Sequence, residues 1–196
     1  MAKNPNDAET RKILINHYEL VENLTAKQKN TLTQHKLWFI KNRPQESTSG
    51  LLDFGFYYDT DDPNYKILKD EWLKQVEINK DNFAVLQNAY RFFRLADKTI
   101  YEKLLTDAVA KFPDNYDALS DLFIHFYAKF QYEKDEAVRK TYLNKALEIG
   151  EKNLVILKKE RSSTRDSKRA DLLPELAELA FELGSYTKVN NLAREL

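Results

Sequence analysis

The side chains that could do chemistry are sparse in this chain and poorly grouped. Three histidines, His17, His35 and His125, stand far apart. None has a second histidine three or four positions on, the spacing that puts two imidazoles on one helix face for a metal. There is no cysteine, which removes thiol nucleophiles, disulfides and thiolate ligands and fits either redox compartment. Asp59, Asp61 and Asp62 cluster, but no glycine and later glutamate complete a calcium loop, and Pro63 makes the cluster a helix-entry turn. The 4 scattered glycines cannot build a loop that cradles phosphate, and no Gly-x-Ser-x-Gly elbow is present. Nothing pairs a nucleophile with a base. The chain therefore reads as non-enzymatic, with no cofactor and no metal site.

Two other groupings invite a functional reading. Lys158, Lys159, Arg161, Arg165, Lys168 and Arg169 surround Ser162-Ser-Thr164, with only Glu160 and Asp166 to balance them. Such a basic patch could meet phosphates or an acidic partner, or it is a solvated loop between two helices. No aromatic residue lies nearby for base stacking, and nucleic acid is not an expected partner. His125 sits among Ile124, Phe126 and Tyr127, either as a partly buried polar residue in an aromatic cluster or as a groove contact.

The elements that must position these residues are helices. With 4 Gly and 5 Pro in 196 residues, the chain lacks the turn formers of an all-β fold. Lys plus Arg equals Asp plus Glu at 31 each, so no net charge draws it to nucleic acid or anionic lipid. The start, Met1-Ala-Lys-Asn-Pro-Asn-Asp7, has no apolar segment of a signal peptide, and no run of about 18 apolar residues exists. A cytoplasmic location without membrane attachment is expected.

Ile13, Leu14, Tyr18 and Val21 recur at helical spacing over about Ala8 to Asn23, capped by Asn6 or Asp7. A second helix is expected over Ala26 to Asn42, burying Leu32, Trp38 and Phe39. Pro44 ends it by pushing Arg43 out of the helical region. Gln45 to Gly50 reads as a loop, Leu51 to Tyr58 as an irregular aromatic segment, and Asn64 to Ile78 as the next helix.

Beyond this point the sequence repeats itself. Val76 aligns with Val109, Asp81-Asn82-Phe83 with Asp114-Asn115-Tyr116, Leu86 with Leu119 and Phe93 with Phe126, at an offset of 33 residues (76 to 109). A weaker third copy runs from Ala146 to Leu154. In each copy an amphipathic helix ends in a turn, and an Asp or Asn caps a helix that opens on an aromatic residue. One such pair cannot bury its apolar face alone, whereas stacked neighbours can. The aromatic runs Tyr90 to Phe93 and Phe123 to Tyr127 recur at this offset and read as core.

The stretch Phe112-Pro-Asp-Asn-Tyr-Asp-Ala-Leu-Ser-Asp-Leu-Phe-Ile-His-Phe126 resembles the junction between tetratricopeptide repeats. Leu119, Leu122, Phe123 and Phe126 match the bulky core spacings. Leu173, Leu176, Ala177 and Ala180 precede Gly184-Ser-Tyr186 as in the turn of such a repeat, with Val189 and Ala193 as close-packing small positions. Tyr90 and Phe123 depart from the pattern, which has small residues there. An insertion of about one helix-turn unit separates Ile149 from Ala170. The resemblance covers about Asp70 to Leu196.

It implies an all-α fold: a right-handed superhelix (α-solenoid) of antiparallel helix pairs, with about 8–9 helices. Residues 1–60 would form a helix pair plus the aromatic segment, packed on repeats in 61–196 within one continuous domain. It also implies a scaffold that binds a peptide or partner domain on its concave face, lined by Gln87, Asn88, Arg91, Asp121, Ile124 and His125. Asp117 and Asp121 would repel a C-terminal carboxylate, so a neutral or basic peptide is the expected ligand. The alternative is a structural or self-associating module. The sequence stops at Leu196 inside an expected helix, and an apolar edge there would suit a homodimer or further repeats.

Overall fold

The computed structural model describes residues 7–47, 61–159 and 163–194. Among them are nine α-helices and no strand. The chain divides into two compact units, Met1–Ala108 and Val109–Leu196. The division expected near residue 60 falls inside the first of these.

The first unit contains α1 (Ala8–Glu19), α2 (Ala26–Asn42), α3 (Pro63–Ile78), α4 (Phe83–Ala96) and most of α5 (Lys98–Lys111). Asp7 caps α1, accepting from the Thr10 N–H at 3.1 Å and from its hydroxyl at 2.5 Å. Those bonds stabilise the carboxylate and hold its pKa below the ordinary value. The helix stops at Glu19 rather than Asn23, because Thr25 and Gln28 form a capping box that starts α2. The expected apolar phase of α1 is also displaced. Ile15 is buried, whereas Ile13 is 67% exposed. α2 has the expected bounds, and Leu32 and Phe39 are buried. Trp38 is only half-buried, under the guanidinium of Arg11 at 4.8 Å and that of Arg43 at 5.9 Å.

α2 packs on α3, and α3 on α4. Asp62 caps α3 with Pro63 in its first turn, which settles the Asp61–Asp62 part of the acidic cluster as a helix entry. Trp72, Tyr65, Leu68, Tyr90 and Phe93 are essentially inaccessible, and Tyr65 stacks on Phe92 at 5.9 Å. Burying each such side chain contributes about 1.5–3 kcal/mol. Burial, with the charge of Asp97 nearby, pushes the Tyr65 phenol up to about 12. Asp97 itself joins α4 to α5: it accepts from the Ile100 N–H at 3.1 Å and from Lys69 Nζ at 2.9 Å. Burial alone would raise its pKa, but the bonds from Lys69 and Ile100 outweigh it and the pKa is lowered. The loop and aromatic segment expected over 45–58 lie outside the described residues from 48 onward.

The second unit contains α6 (Tyr116–Tyr132), α7 (Glu136–Lys159), α8 (Ser163–Glu182) and α9 (Tyr186–Ala193). Asn115 caps α6 as Asn82 caps α4, 33 positions earlier. Leu119, Leu122, Phe123 and Phe126 are all buried. α7 runs antiparallel to α6: Arg139 lies over Phe130 at 4.4 Å, Tyr142 stacks on Phe126 at 6.2 Å, and Gly150 meets Phe123. A Cβ at Gly150 would stand 2.5 Å from Leu176 Cδ2 and 2.9 Å from Phe123 Cε2. The bulky Phe123, where the resemblance expects a small residue, is thus accommodated by a glycine on the facing helix.

Two expectations fail in this unit. The third copy does not end in a turn. Asn153 is no cap but a buried residue within α7, which continues to Lys159 because Leu154 and Leu157 extend its buried stripe and no Gly or Pro follows Asn153 within it. There is likewise no inserted helix-turn unit between Ile149 and Ala170 among the described residues. Longer α7 and α8 take up that length. α8 closes as expected at Gly184, whose φ of 68° lets its N–H reach the Phe181 carbonyl and the Ser185 N–H reach that of Ala180. Leu173, Leu176 and Ala180 are buried, but Ala193 is exposed and Leu192 takes the inward position on α9.

Gly150→Val should lower the unfolding free energy by about 2 kcal/mol, because the packed helices leave no room for the methyl groups; chemical denaturation measures this. Asp97→Ala should cost about 1 kcal/mol at neutral pH through loss of the cap and the Lys69 contact. Since the folded pKa of Asp97 is lowered, its contribution is present above the ordinary aspartate range and lost as pH falls through the lowered value. The gap between Asp97→Ala and the parent protein should therefore close in acid.

Candidate interaction surfaces

In the second unit α6 and α8 run side by side in the same direction. Tyr116, at the start of α6, lies under Arg165 at 5.2 Å and Lys168 at 4.1 Å, both near the start of α8. Towards the other end, Tyr127 Oη donates to Glu178 at 2.5 Å and Gln131 Nε2 donates to it at 3.0 Å. Lys168 Nζ also lies 3.6 Å from Asp117. Helical periodicity places Asp117, Asp121, Ile124 and Ala128 in one strip of α6 beside this seam. It places Lys168, Asp171, Glu175, Glu178 and Glu182 in the facing strip of α8. Ile124 is 55% exposed there.

The electrostatics of this face are polarised. Arg165 and Lys168 stand at one end with Asp117, while Asp121, Asp171, Glu175, Glu178 and Glu182 occupy the rest. Burial, followed by the charges of Glu178 and Asp171, raises the Glu175 pKa. Burial and the bond to Glu178 push the Tyr127 phenol up to about 12. Glu182 is held by Arg139 at 3.1 Å.

A second feature lies on α7. α6 has 17 residues and α7 has 24. With Phe130 opposite Arg139 and Phe123 opposite Gly150, the same register sets Tyr116 against the stretch just after Asn153. The final turn of α7 therefore runs past the start of α6. Between that turn and the Phe112–Asn115 bend lies an open cleft of about 510 Å³. Its walls are Val109, Pro113, Asp114 and Leu119 on one side and Ile149, Lys152, Val155, Ile156 and Lys159 on the other.

The concave-face residues expected from the sequence are not gathered within either unit. Gln87, Asn88 and Arg91 lie on α4 in the first, and Asp121, Ile124 and His125 on α6 in the second. Gln87 and Arg91 are half-buried. Asn88 is 4% exposed and its amide donates to the Pro44 carbonyl at 2.8 Å and the Glu46 carbonyl at 2.9 Å. Both amide hydrogens are committed to fixing that bend, so Asn88 is a structural residue with no donor left for a ligand. Asp121 and Ile124 do belong to the α6 strip. His125 lies at its far edge, half-buried, with its ring 5.2 Å from that of Phe126.

The described residues of the basic run are helical. Lys158 and Lys159 end α7, and Arg165, Lys168 and Arg169 sit on the first turns of α8. Arg165 and Lys168 cover Tyr116, and Arg169 reaches Asp166 at 3.5 Å. Arg161 lies outside the described residues. Among the other histidines, His35 Nδ1 accepts from Arg11 Nη1 at 3.1 Å, and burial and then that positive charge lower its pKa. Among the described residues no three His, Asp or Glu side chains are grouped to hold a metal, and no helix is long and apolar enough to cross a membrane.

The chain matches no protein-family model, no curated protein and no solved structure.

The α6–α8 seam and the cleft could not be found by repeat spacing. The seam joins residues about fifty positions apart on helices of unequal length. The cleft exists because α7 outlasts its partner. The one available signal was the uninterrupted apolar spacing from Leu143 to Leu157.

A raised folded pKa means that the charged form of Glu175 is disfavoured by folding. Its contribution is favourable below the ordinary glutamate range and is lost as pH rises through the raised value. Glu175→Gln should therefore stabilise the fold at neutral pH by about 0.5 kcal/mol, as expected for relief of like charges one turn apart. The gain should vanish in acid, as thermal melts across pH would show.

Proposed function

We propose that this chain is a non-catalytic scaffold of stacked antiparallel helix pairs, a tetratricopeptide-like α-solenoid, that binds a protein segment along the α6–α8 face. One observation carries the reading: an exposed apolar side chain, Ile124, stands on a polarised helix seam where carboxylates outnumber cations, with the pKa of one carboxyl, Glu175, raised by burial and its acidic neighbours. A segment carrying Lys or Arg beside an aliphatic residue would cover Ile124 and relieve that repulsion. A neutral or basic partner fits this face, whereas a C-terminal carboxylate would meet Asp117 and Asp121. The groups presented are recognition groups rather than a nucleophile with its base.

Self-association is the second reading, favoured by Phe181 and Tyr186. They pack edge to face at 5.9 Å, yet remain 58% and 64% exposed. Sedimentation equilibrium tests it: a monomer at high concentration removes it.

An array of short peptides, basic and acidic, tests the main reading. The parent protein should retain basic peptides that contain an aliphatic residue. The double variant Asp121→Lys, Glu175→Lys should bind them about tenfold or more weakly. Added salt should weaken the parent complex, as it does any exposed charge contact. No preference for basic over acidic peptides, or no effect of the double variant, would sink the proposal.

A further inference from the structure

The cleft at the end of α7 differs in character from the α6–α8 face and uses none of its side chains. Ile149, Lys152, Val155, Ile156 and Lys159 follow each other at helical spacing along one stripe. Val155 is 55% exposed despite being aliphatic. Lys152 and Lys159 are seven residues apart, two turns or about 10 Å along the axis, and they bracket the aliphatic pair. Lys152 reaches Glu148 at 2.7 Å, but both partners are exposed, at 60% and 66%. Such an i,i+4 pair is worth only about 0.3–0.5 kcal/mol and yields easily to a better partner. On the opposite wall Asp114 is exposed and would turn away a second negative charge.

We infer that this cleft is a second docking site, which receives an acidic amphipathic helix from a partner protein. Charge complementarity and spacing define that helix. Carboxylates at positions i and i+7 meet Lys152 and Lys159. Large aliphatic residues at i+3 and i+4 fill the space between Val155, Ile156 and Leu119. This is helix-in-groove recognition, with apolar anchors supplying affinity and flanking charges supplying register. Asp114 fixes which way the helix faces, since its acidic edge must lie against α7. The site asks for the opposite charge from the α6–α8 face, so the chain would hold two chemically distinct partners, or two segments of one.

The probe is a fluorescent helical peptide with Glu at i and i+7 and Leu at i+3 and i+4, titrated by anisotropy against the full chain. Lys152→Glu with Lys159→Glu should weaken it about tenfold or more. The same peptide with both Glu changed to Lys should bind that double variant and restore affinity. Val155→Asp should also abolish binding, and circular dichroism of each variant separates loss of the site from loss of the fold. Asp121→Lys with Glu175→Lys should leave the acidic peptide unaffected, so failure at one face is distinguishable from failure at the other. The proposal is overturned if the acidic peptide binds no better than a sequence-scrambled control, or if charge reversal on both sides fails to restore affinity. It is equally overturned if a long-chain fatty acid binds the cleft and the peptide does not.

Discussion

The close approach of α6, α7 and α8 at Gly150 is the constraint on which the second unit depends. One helix face must serve two neighbours at once, and at that point no side chain can intervene. Phe123 from one side and Leu176 from the other occupy the space that a Cβ would need. Close packing of this sort leaves no slack, since a protein interior is as dense as an organic crystal. The position of the glycine therefore sets the register of α6 on α7 and of α8 on α7 together. The contacts between α6 and α8 follow from that double register.

The alignment of α6 with α8 is the first consequence. Both helices run antiparallel to α7, so they run parallel to each other. Their matched ends bring Tyr116 to Arg165 and Lys168, and Tyr127 to Glu178. Charge on α8 is opposite to what its own macrodipole prefers, with cations near the start and carboxylates near the end. That arrangement gives up some intrinsic helix stability. It is offset locally by cation–π contacts to Tyr116, by the Tyr127 and Gln131 bonds to Glu178, and by Arg139 on Glu182. At Glu175 burial and the charges of Glu178 and Asp171 raise the pKa, which marks where added positive charge is favourable.

Local signals were legible in the sequence and long-range ones were not. Asp62 before Pro63, Asn82, Asn115 and Gly184 each act through a bond to a backbone group a few residues away, so their types and positions suffice to place helix ends. The bounds of α2 followed for the same reason. The phase of α1 is ambiguous in the sequence because Ile13, Leu14 and Ile15 are all apolar, and only contact with the rest of the unit selects Ile15 for burial. Asn88 looked like a groove residue by alignment. Its role depends on carbonyl groups more than forty positions earlier, which no spacing rule reaches. Phe123 is visibly oversized for its repeat position, but its compensation by Gly150 lies on another helix.

Asn153 sits where the earlier copies have a capping Asp or Asn, so a turn was the natural expectation there. A cap, however, needs a chain that leaves the helix before it. Here Leu154 and Leu157 keep the buried stripe going on the same face and reward continuation by apolar burial. Tertiary burial outweighs a capping preference worth about 1 kcal/mol. Once α7 continues, it must outlast α6, whose start is fixed by Asn115. The side of α7 that would have faced α6 then faces the Phe112–Asn115 bend across open space. An aliphatic surface bracketed by Lys152 and Lys159 is left there by the difference between two helix lengths, each set by its own local balance.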